Sequence, residues 1–398
     1  MTFSVRRLLF CWGNGDFGRL GMGSDLSSVL VPKLCDALAG FNIKQVACGG
    51  AHTVALADSG EVWTFGLNAD GQLGHSEKVQ HASEPFSAPI PEPVVSIAAG
   101  HHHTLCLGES GSVWSFGRNN EGQLGLGKSV QSSWMPRMVD QVTGVGIAAG
   151  AAHSVVVTKS GEVFSWGRGS FGQLGHEPAS RGNFGRANLR DEAFPRMIRD
   201  LRAYNVEKVY AGHDHSGAID VEGRVFMWGL GRAWQLGLGH NPEVVHLPTI
   251  VGEIPGASSL ALGCSHSIAV RHESTYIWGT NDCGVLGLNA EEKAMVPTII
   301  PNLTLKQVSG GWKHSGGITP TGKLFMWGSG GSVGHPSGLY EIGKLSCGGQ
   351  LGLGDDYDRL EPTEVKNDWA EKGTASAFAQ ISCGFNHTAA LLEVRTED

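Results

Sequence analysis

Residues 48–66 read CGGAHTVALADSGEVWTFG, and this stretch decides the fold. The apolar run HTVAL starts at His52. Asp58-Ser59-Gly60 is turn chemistry, because Asp and Ser bond their own backbone and Gly accepts the positive φ of a tight reversal. A second run, Val62 to Gly66, carries two aromatic residues. Two short β-prone runs around such a turn predict an antiparallel hairpin.

The hairpin recurs. Its first half, Gly-x-x-His-Thr/Ser followed by apolar residues, returns as AGHHHTLCL at Ala99, AGAAHSVVV at Ala149 and AGHDHSGAI at Ala211. It continues as LGCSHSIAV at Leu262, GGWKHSGGI at Gly310 and CGFNHTAAL at Cys383. The second half is an aromatic strand ending in glycine, followed by a Gly-Gln-Leu-Gly-like turn. It begins at Phe10, Trp63, Trp114, Phe164, Phe226, Tyr276 and Phe325. Each half therefore occurs seven times. Two further strands per unit fit around VPKLCDAL and IKQVACG. Four short strands in a unit of roughly fifty residues make one propeller blade.

The predicted fold is all-β: a single seven-bladed β-propeller with four-stranded blades, its ring spanning about residues 8–392. The chain opens on the aromatic strand and closes on the His-Thr strand, so each end supplies half a blade. Leu8–Gly13 is expected to pair with His387–Leu391, closing the ring and removing an exposed strand edge.

Composition agrees. Glycine accounts for 59 of 398 residues, about twice the usual ~7 per cent. The net charge of −8 argues against a general nucleic-acid surface. No apolar run reaches the ~18 residues of a membrane helix, so no membrane partner is expected. The eight cysteines contain no C-x-x-C pair. Cys48, Cys264 and Cys383 stand where other copies carry Ala or Gly, and read as small buried residues of a reducing compartment. The expected location is intracellular, in cytoplasm or nucleus, with the mitochondrion as alternative.

Residues that escape the repeat are the candidates for function. Between Gly175 and Asn205 an insertion carries Arg181, Arg186, Arg190, Arg196, Arg199 and Arg202. It reads as a grip on an acidic partner, and as the one route to a phosphate backbone. A second insertion, about 329–348, is glycine-rich and predicted to protrude. Trp12, Trp63, Trp114, Trp166, Trp228, Trp278 and Trp327 lie in the repeat strand and are predicted core. Trp134, Trp234, Trp312 and Trp369 are additional; surface tryptophans anchor interfaces. The histidines His52, His103, His153, His215, His266, His314 and His387 fall one per blade, too dispersed for a shared metal. Hydrogen bonding within or between blades is expected of them. No catalytic motif stands out and no cofactor is expected. The partner-binding candidates are His213, Asp214, Trp234, Trp312, Lys313, Arg181, Arg186, Arg190 and Arg196.

The repeat resembles the regulator of chromosome condensation family of propellers over about residues 8–392. The resemblance implies a seven-bladed ring. Its founding member is an exchange factor for the small GTPase Ran, acting without covalent chemistry. Acidic residues just before the His of successive early repeats face the GTPase there. Here the second and third copies carry His101-His102 and Ala151-Ala152, and only the fourth carries an acid, Asp214. A counterpart of the founding member's basic chromatin-binding tail is not expected. The plant ultraviolet-B photoreceptor of the same family uses several Gly-Trp-Arg-His-Thr copies. This chain has one similar copy, Gly311-Trp312-Lys313-His314-Ser315. A partner-binding scaffold is the leading expectation. Exchange on a small GTPase is the alternative, and photoreception or chromatin binding come after it.

Overall fold

The computed structural model describes residues 3–23, 28–178, 189–252, 254–289, 291–331, 348–366 and 376–397. They form seven four-stranded antiparallel sheets. Blades 2 to 7 follow in chain order, their innermost strands starting at Ile43, Val94, Gly146, Val206, Ser259 and Gln307. Blade 1 joins the two ends of the chain: Ser376–Cys383 and His387–Glu397 supply its inner strands, Phe3–Gly13 and Val29–Leu34 its outer ones. Phe3–Gly13 runs antiparallel to His387–Glu397 without a break, from Phe3↔Glu397 to Gly13↔His387. The expected closure is present and longer than the sequence suggested.

Three sets of contacts hold blade to blade. The first explains the repeat histidines. Each Nε2 reaches the Thr or Ser hydroxyl of the next blade, from His52–Thr104 at 3.0 Å through His153–Ser216 at 2.8 Å to His387–Thr53 at 3.0 Å, which closes the cycle. That hydroxyl donates to a carbonyl of the preceding blade's glycine-rich turn, as Thr104 does to Gln72 at 2.8 Å and Ser154 to Gln123 at 2.7 Å. With its proton spent there, the oxygen accepts from Nε2–H, which assigns the tautomer. The seven rings are fully buried, and burial lowers six of them to about 3 or 4 and His387 well below its ordinary value. They are neutral structural pegs.

The second set uses the same carbonyls. The indoles of Trp12, Trp166, Trp228, Trp278 and Trp327 donate to Gln350, Gln123, Gln173, Gln235 and Val285 at 2.8–2.9 Å. Trp63 and Trp114 depart from the core expectation. The residue that fills the interblade wedge is the one just before the glycine, and in these two blades it is Phe65 and Phe116. Trp63 and Trp114 sit two residues earlier and are half-buried; Trp114 spends its N–H on Glu92 at 2.8 Å.

The third set lies at the axis. Gly50, His101, Ala151, His213, Cys264, Trp312 and Phe385 each donate their backbone N–H to a carbonyl of the next blade at 3.1–3.3 Å, and Phe385 to Gly49 completes the circuit. The glycine that opens each Gly-x-x-His loop is obligatory here: a Cβ on Gly100 would lie 2.2 Å from Cε1 of His103.

The rim has its own device. Every fourth strand carries a proline: Pro32, Pro85, Pro136, Pro195, Pro248, Pro297 and Pro362. In each blade the ladder skips at that point, opposite the wedge aromatic. A residue without an N–H costs nothing in such a bulge, and a broken edge resists pairing with another sheet. These outer strands also carry exposed apolar residues such as Met135, Phe194 and Ile299, so the protection matters.

Candidate functional site

Antiparallel strands fix which loops share a face. In every blade the connections between strands one and two, and between strands three and four, emerge together; the remaining connections emerge opposite. The Gly-x-x-His loops and the glycine-rich turns therefore share one face. Both inserted segments leave and rejoin the blades there, between Gly167 and Glu192 and between Gly328 and Arg359.

Within each Gly-x-x-His loop the two variable residues diverge. The first lines a well on the ring axis, of about 140 Å³, with His101, Ala151, His213, Cys264, Trp312 and Phe385 in its wall. The second lies outside that wall, and in His102 and Asp214 it reaches the preceding blade. Asp214, 7% exposed, accepts from His213 Nδ1 at 2.8 Å and Gln173 Nε2 at 3.3 Å, and faces Arg168 at 3.7 Å. Burial alone would raise its pKa, but the His213 hydrogen bond and the Arg168 charge hold it below the usual carboxylate value. Two blades earlier, His102 faces Asp70 at 3.3 Å, and Arg118 grips that carboxylate through two bonds of 3.0 and 2.8 Å. Burial and Arg118 lower the His102 pKa, against the pull of Asp70.

Aromatic rings cross the mouth of the well. Trp312 stacks on Phe385 with centroids 3.8 Å apart and planes at 19°. Phe385 meets His101 at 5.0 Å, and His101 meets His213 edge-on at 5.7 Å. Lys313 lies 5.4 Å from the Trp312 centroid. Farther out, Phe171 sits under Arg168 at 4.8 Å and Arg232 at 5.8 Å. Trp234 occupies a turn position with φ 62° where other blades have glycine, and Lys293 covers its ring at 5.0 Å.

Thus His213 and Trp312 meet in the axial well, Asp214 and Lys313 lie beside them, and Trp234 shares their face. The arginine insertion does not behave as one loop. Residues 192–197 form the fourth strand of blade 4, so Arg190 precedes that strand, Arg196 lies in it, and Arg199 and Arg202 follow it in a turn toward the opposite face. Arg196 pairs with Glu192 at 2.5 Å. Arg181, Arg186 and Trp369 lie outside the described residues, as does most of 329–348. Trp134, in the outer strand of blade 3, is half-buried. Cys264 is half-buried, whereas Cys48 and Cys383 are buried as expected. Sequence reading missed Asp70, Arg118, His102 and Phe385. Their roles depend on which loops meet across blades, which no local pattern records.

A model of the RCC1-like domain matches residues 8–390. The chain belongs to that family. The ultraviolet-B receptor UVR8 of Arabidopsis thaliana is 31% identical over 395 residues, covering 96% of this chain and 70% of the receptor. The regulator of chromosome condensation of Xenopus laevis is 32% identical over 404 residues, covering 96% and 89%. Among solved structures, Prp20p of Saccharomyces cerevisiae, described with its binding to Gsp1p and histones, superposes with a TM-score of 0.82 at 26% identity, over 100% of this chain and 94% of its own. Human WBSCR16 gives 0.80 at 25% identity, over 97% and 98%. The RCC1-like ring is thus shared by proteins with different names and roles. Its face loops, where this chain has its own set of residues, are where they can differ. No helix among the described residues is long and apolar enough to cross a membrane.

Proposed function

We propose that this RCC1-like ring is a protein-binding scaffold that engages its partner with the face carrying the Gly-x-x-His loops and both insertions. One observation carries the reading. The non-repeating rings and charges His101, His213, Asp214, Trp312, Lys313 and Phe385 gather at the centre of that face. Aromatic groups at the centre of a polar, charged surface are the usual composition of an interface hot spot. The relative Prp20p, with its binding to Gsp1p and histones, supports a protein partner.

The test is affinity capture followed by protein identification. Trp312→Ala with Arg168→Ala should lose partners that the unaltered chain retains. Lys159→Ala with Glu109→Ala, in the hairpin turns of the other face, should keep them. Capture unaffected by the first pair would overturn the reading. A deletion across the insertion must stop before Glu192, because residues 192–197 are a strand of the ring.

Exchange on a small GTPase is the second reading, favoured by the likeness to the regulator of chromosome condensation along 96% of the chain. Nucleotide release from a panel of small GTPases tests it; no acceleration with any member counts against it. For photoreception, the ring stacked on Trp312 is Phe385 rather than a second tryptophan.

A further inference from the structure

The axial well has features that a face of mixed polarity does not require. Seven loop tips build its wall, and each has its backbone N–H committed to the next blade. The carbonyl of the second variable residue is committed too: Leu67 donates to Ala51, Arg118 to His102, Arg168 to Ala152 and Leu230 to Asp214, at 2.8–2.9 Å. The N–H groups at the seven loop tips are therefore not offered to an incoming anion. Much of the remaining wall is glycine, alanine and cysteine, below the rings of Trp312, Phe385, His101 and His213. Burial pulls the His101 pKa down to about 4, so this ring is neutral near pH 7. The nearby charges Asp214 and Asp70 are taken by Arg168, His213 and Arg118.

Water against the glycine, alanine and cysteine of the wall finds few side-chain partners, and a poorly held water is displaced with gain by an apolar group. The volume of about 140 Å³ has room for one ring: an enclosed cavity of ~150 Å³ takes benzene, and this well is open to the face. The ring stack at the mouth offers edges and faces at the spacing aromatic pairs prefer.

We propose that the well receives one aromatic side chain, of the phenylalanine or tyrosine kind, projecting from the bound protein along the ring axis. This rests on the reading of this face as the partner-binding face and adds the anchor it recognises. The occupant is a ring, because the loop-tip N–H groups are spent, the carboxylates of Asp70 and Asp214 are paired and the rim is aromatic. It is a single side chain, because the volume admits no more.

The probes are p-cresol and toluene, with guanidinium and propionate as charged comparators, titrated against the full chain by ligand-observed NMR. The blocking variant is Ala151→Phe. Ala151 lines the well, and the matching position in other blades already bears His101, His213, Trp312 or Phe385, so the backbone accepts a ring there. Ala151→Leu is a smaller plug, and a melting curve confirms that either variant folds. Saturable binding of p-cresol or toluene, weakened about tenfold or more by the plugs, is the expected result, together with weaker partner capture by Ala151→Phe. Absence of saturation, binding that survives both plugs, or preference for guanidinium or propionate overturns the proposal. The two readings fail separately. Partner capture lost in the Trp312/Arg168 pair but intact in the plugs removes the anchor alone. Capture indifferent to the Trp312/Arg168 pair removes the face itself.

Discussion

Lowering the pH should unfold this ring through its seven buried histidines. Each is neutral when folded, with a pKa near 3 or 4 for six of them and well below the ordinary value for His387. In the unfolded chain a histidine titrates at about 6.5. As pH falls, the unfolded chain binds protons first, so stability is complete above pH ~7.5 and is lost through the window from ~6.5 down to the folded pKa. Per ring the loss is about 0.2 kcal/mol at pH 7, 0.8 at pH 6 and 1.4 at pH 5.5. Seven rings acting together cost about 9 kcal/mol more at pH 5.5 than at pH 7, which rivals the whole stability of an ordinary domain. His101 and His176, both held near 4 by burial, add to the same window. The assay is urea unfolding at a series of pH values, followed by tryptophan fluorescence and circular dichroism. The slope of stability against pH counts protons taken up on unfolding. His103→Gln keeps a side-chain N–H able to reach Ser154 and removes one titrating group, so the slope should fall by about 1.4 kcal/mol per pH unit. An uptake of fewer than about two protons between pH 6.5 and 5 would refute neutral buried pegs. So would a slope unchanged by His103→Gln.

Other outcomes follow from individual contacts. Gly100→Ala puts a Cβ 2.2 Å from the His103 ring and 2.6 Å from the Gly150 carbonyl; it should cost about 3 kcal/mol or more in a denaturant melt, whereas Gly40→Ala, which meets nothing within 4 Å, should be close to neutral. Trp234→Gly removes a side chain from positive φ and should stabilise by about 1 kcal/mol, while weakening partner capture if Trp234 belongs to the interface. Arg118→Ala removes the cation that depresses His102, so its pKa should rise in an NMR titration. Deleting residues 387–397 takes away the strand that pairs along Phe3–Gly13, and the cooperative melt should be lost.

The ring was legible in sequence because its physics is local and repeated seven times. A hairpin needs only alternating apolar residues and a turn, and the copies make the reading redundant. Closure could be read from the two half-blades at the ends. Two tryptophans nevertheless differ from the expected core position. Trp63 and Trp114 differ from the wedge tryptophans by one strand period, and only the register shows that Phe65 and Phe116 fill the wedge. The seven prolines were readable at repeat spacing, but their meaning required knowing that the fourth strand is the edge.

The candidate site was legible only in part. Asp214, His213, Trp312 and Lys313 stood out because they break the repeat. That the first variable residue of each loop faces the axis, while His102 and Asp214 reach the preceding blade, was set by the closed ring. So was the meeting of Asp70 with His102 and Arg118, and the division of the arginine insertion between a loop, a strand and a turn. The reason is physical. Strand and turn preferences act between residues close in the chain, so they can be read directly along it. The well and its charges arise where loops some fifty residues apart converge on one axis, and that convergence exists only once the ring has closed.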